Sequence, residues 1–577
     1  MMRITLDDLR VRVRRHPRDS RASYALGSAY LARREFAAAL PHLRRAAELD
    51  PADAAPLSDL ASALDWTGEP GDALRALKLA VRLQPSSVAA RLRLAHAVER
   101  EEGTHAALGA FVAAVEAAPC DPEPSIQVCR LLLDGRSGAE AFSRAAAALH
   151  VAGDARREAG LRKAVAAAHH WYGRYEEARA WWDDELARTP RDLTALLGRF
   201  ETATALGECD AAARLCERAA LVHPEDVTAM YARFRHAVGS GRLEAGRQAM
   251  RHMLASGRIG QPSQPGMAPV WSGDERLDGR TVLVECEGAF GDQFQFARFA
   301  RAVHDRGARV ILQCLPQLRE VMQRMPCVDL AVSPYDECGP VEFQCRADIV
   351  AFLLEWDREW TRRHTPYLSV DAAIRSRWRA RFAGPRRHVG ILWRAQGLSV
   401  TCSLPPHKQP RNHYAFRSAP LEAFRALSAL PDTAVVGLQV GAGTEEITAS
   451  VREWLADDLA ASCRDFMEAA GAIAALDAVV TIDSAIAHLA GALGTPCCLM
   501  LPYFPEFRWF SDPAPFRQGE ISPWYPTMRV FRQPRPGDWS SVMSLVTRAL
   551  DQIAAVATPA GAGSAGRRAQ MEWSDVS

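Results

Sequence analysis

Val479-Val-Thr-Ile-Asp-Ser-Ala-Ile-Ala-His-Leu-Ala-Gly-Ala-Leu-Gly-Thr-Pro-Cys-Cys-Leu-Met-Leu-Pro502 is the stretch that decides the fold. A β-branched apolar run at 479–482 stops at Asp483, a helical pattern covers 484–493, and Gly494-Thr-Pro496 ends it before a second apolar run at 497–501. The order is strand, helix, strand. Strands apolar on both faces belong in a parallel α/β sheet, where ligands occupy the crevice beyond the strand carboxyl ends. Asp483 and Ser484 stand at that edge. The amides of Ser484, Ala485 and Ile486 open the helix without intrahelical partners, and together with the helix dipole they favour an anion such as a diphosphate. His488 follows one turn later, near the same mouth. The same residues also admit a plainer account, in which Asp483 or Ser484 only caps the helix and His488 packs in the core.

Similar alternation surrounds this unit. His388-Val-Gly-Ile-Leu-Trp393 and Ala434-Val-Val-Gly-Leu-Gln439 read as strands, with a helix expected over 420–430 between them. Further toward the N-terminus, strands are expected at 281–286, 308–314 and 328–332, and helices at 293–306 and 318–324. Alternation of this kind gives doubly wound parallel sheets, here two Rossmann-like halves at 280–385 and 386–556. Residues 335–371 show no clear period, and Trp356, Trp360 and Tyr367 within them either line an acceptor site or pack. Residues 257–279 are rich in Gly, Pro and Ser and read as a linker. After Thr558, Gly, Ala and Ser without periodicity point to a disordered tail, 557–577.

Ahead of the linker the period lengthens. Pro17, Pro51, Pro85 and Pro119 stand 34 residues apart, and Pro190 and Pro224 repeat that interval. Leu26, Leu60 and Leu94 keep phase with them, as do Gly27, Ala61 and Ala95, and Ala39, Ala73 and Ala107. Small residues let two antiparallel helices approach, and each proline stops the second helix. This is the tetratricopeptide (TPR) period. Residues 1–256 are therefore expected to form an all-α TPR superhelix of about six to seven helix pairs. Between Pro119 and Pro190 the phase slips by three residues, as two less regular pairs would produce. The concave face is expected to take a protein partner, or else to act as a scaffold or dimer contact. His169 and His170 are adjacent, so they point to different helix faces and make no metal site.

Asp483-Ser-Ala-Ile-Ala-His-Leu-Ala-Gly-Ala-Leu-Gly-Thr-Pro496 resembles the Asp-Thr-x-x-x-His-Leu-Ala-x-x-Leu-Gly-x-Pro signature of the heptosyltransferase-like glycosyltransferases, family 9. The chain as a whole is similar to bacterial proteins that carry such a domain behind TPR repeats. Glu287-Gly-Ala-Phe-Gly-Asp-Gln-Phe-Gln-Phe-Ala-Arg298 resembles the family's Glu-x-Gly-x-Gly-Asp-x-(Ile/Leu)-Gln-Phe-Ala-Arg, with Ala289 at a glycine position. The stretch 388–393 is similar to Val-Gly-(Ile/Leu)-x-Trp, and 522–539 to the tail of the repeat-bearing subgroup. The resemblance implies a GT-B fold, with the acceptor on the first half and a nucleotide sugar on the second. It implies an inverting, metal-independent glycosyltransferase of hexosyl or heptosyl transfer, whose acceptor glycan or protein is selected with help from the repeats. No cofactor beyond the donor substrate is implied. The rival expectation is a TPR adaptor whose GT-B-like domain binds a nucleotide without turnover.

Residue roles follow from the same resemblance. Asp292 is implied as general base, because an alcohol attacking an anomeric carbon needs a proton acceptor opposite the departing diphosphate. An N-cap is the alternative for it. Gly288 and Gly291 would shape its loop. Arg417 is implied as the cation that neutralises the diphosphate, against a structural salt bridge, with Lys408 and Arg411 as substitutes in the long 394–416 segment. Asp483, Ser484, Ala485 and His488 would cradle the donor. Gln439 would sit by its base or ribose, with Glu445 or Glu446 at the ribose hydroxyls. Gln293 and Gln295 either bond an acceptor or are solvated.

Bulk properties narrow the classes further. A chain of 577 residues exceeds one core, and 48% hydrophobic with 24% charged residues is ordinary for a soluble globular protein. A net charge of +1 gives no electrostatic case for nucleic acid and allows at most peripheral membrane contact. The 13 cysteines show no CxxC pair or metal spacing, which suits buried free thiols in a reducing compartment. The first residues lack the apolar core of a signal peptide, and no run is long enough to span a bilayer. A cytoplasmic protein is expected.

Overall fold

The computed structural model describes residues 4–118, 121–133, 138–148, 154–257, 268–354, 356, 358–395, 417–503, 507–509 and 519–556. Lys408, Arg411 and the tail 557–577 lie outside the described residues. Two compact units result: Met1–Arg233 with Ser333–Glu337, and Phe234–Val332 with the described residues from Cys338 onward.

The first unit is a tandem array. After a single helix, Leu6–Arg15, come the pairs Ser20–Ala32 and Phe36–Leu49, Ala54–Thr67 and Pro70–Leu83, Val88–Glu101 and Thr104–Ala117, Pro122–Leu133 and Gly138–Ala148, Ala155–Trp171 and Tyr175–Arg188, and Leu193–Leu206 and Cys209–Val222. A last pair, Val227–Gly239 and Leu243–Ala255, begins in this unit and ends in the next. Second helices stop at Leu49, Leu83, Arg188 and Val222, and Pro51, Pro85, Pro190 and Pro224 follow at once in the turn.

Two positions past each proline, a short polar side chain starts the next helix. Asp19 accepts from the Ala22 N–H (3.1 Å), Asp53 from Ala55 (2.9 Å), Ser87 from Ala90 (3.3 Å), Asp192 from Ala195 (2.8 Å), and Asp226 from Thr228 (2.8 Å) and Ala229 (3.1 Å). The cap thus shares the period of the proline. Close helix approach also repeats. A Cβ on Gly27 would lie 2.7 Å from the Leu43 side chain, and Ala39, Ala61, Ala73 and Ala95 are wholly buried. Where the phase slips, Pro122–Leu133 packs more extensively on Ala155–Trp171 than on the shorter Gly138–Ala148.

The second unit holds two sheets. Strands β1 (Thr281–Glu285), β2 (Arg309–Gln313), β3 (Leu330–Val332) and β4 (Phe343–Arg346) are parallel, in the order β3-β2-β1-β4. Strands β5 (Arg387–Leu392), β6 (Thr433–Gly437), β7 (Leu455–Asp458), β8 (Ala478–Ile482), β9 (Cys497–Leu501), β10 (Glu520–Ile521) and β11 (Met528–Arg532) give the order β10-β11-β9-β8-β5-β6-β7, parallel except for β10 against β11. The chain therefore reverses its winding direction twice, between β1 and β4 and between β5 and β8. In such sheets the crevice beyond the carboxyl ends at the reversal is where ligands bind. Two Rossmann-like halves behind a TPR-type array make an all-α plus GT-B architecture.

Several expected elements differ. The helix expected over 293–306 is two, Phe290–Ala297 and Ala300–His304, because the chain tightens at Phe299, whose N–H bonds the Phe296 carbonyl three residues back (3.0 Å). At 421–429 the turn is a 3-10 helix, Leu421–Ala429. The unread region 335–371 contributes β4 and the helices Ala347–Leu353 and Arg358–Arg363. Its aromatics pack: the Trp360 ring stacks on Phe299 at 5.3 Å, and Trp356 lies 4.6 Å from Trp524 and donates to the Ala351 carbonyl (2.7 Å). The described cysteines are free thiols, and all but Cys209 and Cys463 are buried. Among the described residues no helix is long and apolar enough to cross a membrane.

Replacing Asp226 by Ala is expected to cost about 1 kcal/mol locally. Faster amide exchange confined to the start of Val227–Gly239 is the expected outcome, and unchanged exchange there counts against the capping role.

Candidate functional site

At the second reversal, β8 ends at Ile482 and the helix Ala485–Leu493 begins after Ser484. Ser484 is the N-cap: its Oγ accepts from the Ala487 N–H (3.4 Å) and lies 3.1 Å from Thr481 Oγ1. Gly494, left-handed at φ 72°, closes the helix. The amides of Ser484, Ala485 and Ile486 have no hydrogen-bond partner among the described residues. Asp483 is buried and holds Arg417, whose Nη2 donates to the Asp483 carbonyl (2.7 Å) and to Oδ2 (2.8 Å). Burial pushes the Asp483 carboxyl up, but Arg417 first, then His488 and Arg508, outweigh it and hold it below the usual range. The salt bridge weighed for Arg417 is present, and it ties that cation to the helix start.

His488 is buried. Its Nδ1 lies 2.9 Å from the Tyr525 hydroxyl, and its ring stacks on Trp509 at 4.9 Å. Burial pulls the imidazole down to about 4, against the opposing charges of Asp483 and Asp292. It is neutral at physiological pH.

At the first reversal, the loop after β1 carries Gly288, left-handed at φ 97°, where a side chain would collide with Asp292. Ala289, at the position where glycine was expected, is extended (φ −70°, ψ 173°), so its Cβ is accommodated without strain. Asp292 caps its helix through Oδ2, which accepts from the Ala289 N–H (2.9 Å), and its Oδ1 is 2.9 Å from Arg508 Nη2. Gln293 is neither solvated nor free, since it donates to the Gly288 carbonyl (3.3 Å) and accepts from the Leu315 N–H (3.0 Å). Gln295 is also buried, not solvated, and its carboxamide has no partner among the described residues.

The two reversals meet at Gly291. A Cβ there would lie 2.8 Å from His488 Cδ2 and 3.7 Å from the Ala485 Cα. Asp292, Asp483, Ser484, Ala485, His488, Arg417 and Arg508 thus share one place. Gln439 does not join them as a free group. Its carboxamide accepts from the Arg394 N–H (3.0 Å) and donates to the carbonyls of Arg394 (3.2 Å) and Ala442 (2.8 Å), bracing the loops after β5 and β6. Glu446 pairs with Arg394 (2.5 Å), and Glu445 accepts from the Gly443 N–H (2.7 Å). The resemblance of 522–539 implies only that Arg508-Trp509, Trp524 and Tyr525 lie beside the cleft; their partners, Asp292 for Arg508 and His488 for Tyr525, stand in no local pattern that points to them.

No family model matches the chain. It is 26% identical over 406 residues to Protein FlbA of Caulobacter vibrioides, an alignment covering 65% of this chain and 64% of that protein. The chain thus spans less than two thirds of that relative's length. Among solved structures it is similar to E. coli ADP-heptose LPS heptosyltransferase II, at 16% identity and a TM-score of 0.33, over 48% of this chain and 100% of that one. It is also similar to a tetratricopeptide repeat protein from Parabacteroides merdae, at 16% identity and a TM-score of 0.24, over 41% of this chain and 93% of that one. These are likenesses of fold.

The His488 shift has a signed consequence. The unfolded chain takes up this proton near 6.5 and the folded one only near 4, so the site's contribution to stability is complete above the first value and lost as pH falls through the second. A histidine NMR signal assigned to His488 is expected to stay put between pH 8 and about 5.5, and a midpoint near 6.5 would contradict the burial argument.

Proposed function

We propose that the α/β unit transfers a sugar from a nucleotide-sugar donor to a hydroxyl acceptor, with inversion and without a metal. One observation carries this: the carboxylate of Asp292, from one sheet reversal, meets the unpartnered amides that begin Ala485–Leu493, from the other, across Gly291 and His488. Glycosyl transfer needs those two features on opposite sides of an anomeric carbon. The leaving diphosphate rests on the amides of Ser484, Ala485 and Ile486, with the neutral His488 beside it. Arg417, fastened by Asp483, and Arg508 supply positive charge as the bond breaks. The acceptor oxygen attacks the face away from the diphosphate and gives its proton to Asp292, and a single displacement of this kind inverts the centre.

The ion pair between Asp292 and Arg508 adds an order to these events. Arg508 holds Oδ1 and the Ala289 amide holds Oδ2, so the guanidinium covers the oxygen that an incoming hydroxyl would approach. A donor diphosphate competes for Arg508, so donor binding frees the base, and the acceptor reacts second. The loops braced by Gln439 lie at the carboxyl ends of β5 and β6, on the nucleotide side. The repeat array selects the acceptor, a glycan or a protein, through a protein-binding concave face. Buried free thiols suit a cytoplasmic setting.

The test is nucleotide release from a panel of ADP-, UDP-, GDP- and CMP-sugars. Asp292→Asn is expected to lower turnover by about 10² to 10⁴-fold without weakening donor binding, since it also releases Arg508 from its ion pair, and equal turnover in both proteins removes the base assignment. Donor binding by the native protein with no turnover across the panel favours a nucleotide-binding adaptor instead.

A further inference from the structure

Behind His488 lies a second buried group that the transfer step does not use. Tyr525 is fully buried against the helix Ala485–Leu493, where Gly491 leaves space that a Cβ would take from its ring. The guanidinium of Arg298 stands 4.4 Å from the centre of that ring and 4.6 Å from the ring of Tyr367. Arg298 is itself buried and has no carboxylate partner among the described residues. It donates to the Gln295 carbonyl (3.1 Å), to the Trp524 carbonyl and to the Tyr367 hydroxyl (3.2 Å). Tyr367 passes its own proton to the Phe294 carbonyl (2.7 Å).

Besides standing over the ring, Arg298 hydrogen-bonds the Tyr525 oxygen, and a guanidinium can only donate, so the phenol proton is left for another acceptor. For Tyr525 the hydrogen bond on the other side runs to His488 Nδ1, at 2.9 Å. Burial, and then Tyr367, keep the phenol well above its ordinary range, so the proton to be donated is always present. We infer that Tyr525 is a positioning residue: it donates to His488 Nδ1 and so fixes the neutral imidazole with its proton on Nε2. The Nε2 and Cδ2 edge is the one that faces Gly291, at 3.4 and 2.8 Å from a Cβ built there, in the first turn of the helix that carries Asp292. Nε2 has no partner among the described residues.

In this tautomer the ring offers an N–H donor to an anionic oxygen, whereas the other tautomer would offer a lone pair and repel it. The charged groups around the ring, Asp483 and Asp292 against Arg508 and Arg298, oppose one another, so the hydrogen bond from Tyr525 decides where the single proton sits. The value of that donor rests on the proposal of an anionic leaving group at this place. The tautomer itself does not.

Full-length protein labelled with ¹⁵N-histidine, with His488 assigned by its loss in His488→Gln, reads the tautomer from long-range ¹H–¹⁵N couplings. The native protein is expected to show a bare Nδ1 and a protonated Nε2. Tyr525→Phe, or Gly491→Ala as a second route that displaces the same ring, is expected to give a mixture and to weaken inorganic pyrophosphate binding about tenfold, the size of one hydrogen bond. A native spectrum with the proton on Nδ1, or an unchanged tautomer in Tyr525→Phe, overturns the inference. An Nε2–H tautomer that ignores pyrophosphate supports the Tyr525 assignment and removes the leaving-group proposal.

Discussion

A guanidinium cannot shed its charge when it is buried, so it must find acceptors for its N–H groups wherever it is placed. Arg298 finds them on three separate pieces of chain: the carbonyl of Gln295 in its own helix, the Tyr367 hydroxyl, and the Trp524 carbonyl beyond β10. The last belongs to the second Rossmann-like half, and the segment of Tyr367 also docks there, through its own amide and that of Leu368 on the Ala492 carbonyl (3.0 and 3.2 Å). Arg298 is therefore satisfied only when the halves are docked. Separating them would exchange the Trp524 carbonyl and the Tyr525 ring for water around that charge. Phe290 and Phe294 add apolar weight to the same junction, edge-on to Phe466 at 4.8 and 5.4 Å.

With the halves held, close approach decides the rest. The start of the helix Phe290–Ala297 and the helix that begins at Ala485 touch because Gly291 has no side chain, and the tyrosine behind His488 fits because Gly491 has none either. The first of these contacts lies where the winding of both sheets reverses. Charge within the site is balanced by pairs, Arg417 with Asp483 and Arg508 with Asp292, so a bound anion gains by exchanging partners rather than by neutralising an idle cation.

The strand, helix and strand at 478–501 were legible because apolar runs, a capping serine and a left-handed glycine agree on the same boundaries. The array was legible because its prolines and small residues recur. The strand β4 was not: it is four residues long and carries Gln344 and Arg346, and Gln344 is held by the Ala268 carbonyl, far away in sequence. Without β4 the first sheet shows no reversal. The break at Arg298 also escaped notice, since arginine on a helix usually marks the solvent face, whereas here it marks a junction. The pair Arg417 and Asp483 lies 66 residues apart, and nothing local in either stretch points to the other.

In the array, the proline that ends one helix and the aspartate or serine that begins the next stand within the same three residues. Each module thus carries its own punctuation at a single seam. Duplication or loss of one module at that seam conserves every start and stop, and it leaves no half-written helix behind. Such an array can grow or shrink by whole units over evolutionary time, changing its length while the α/β unit that follows in the sequence stays as it was.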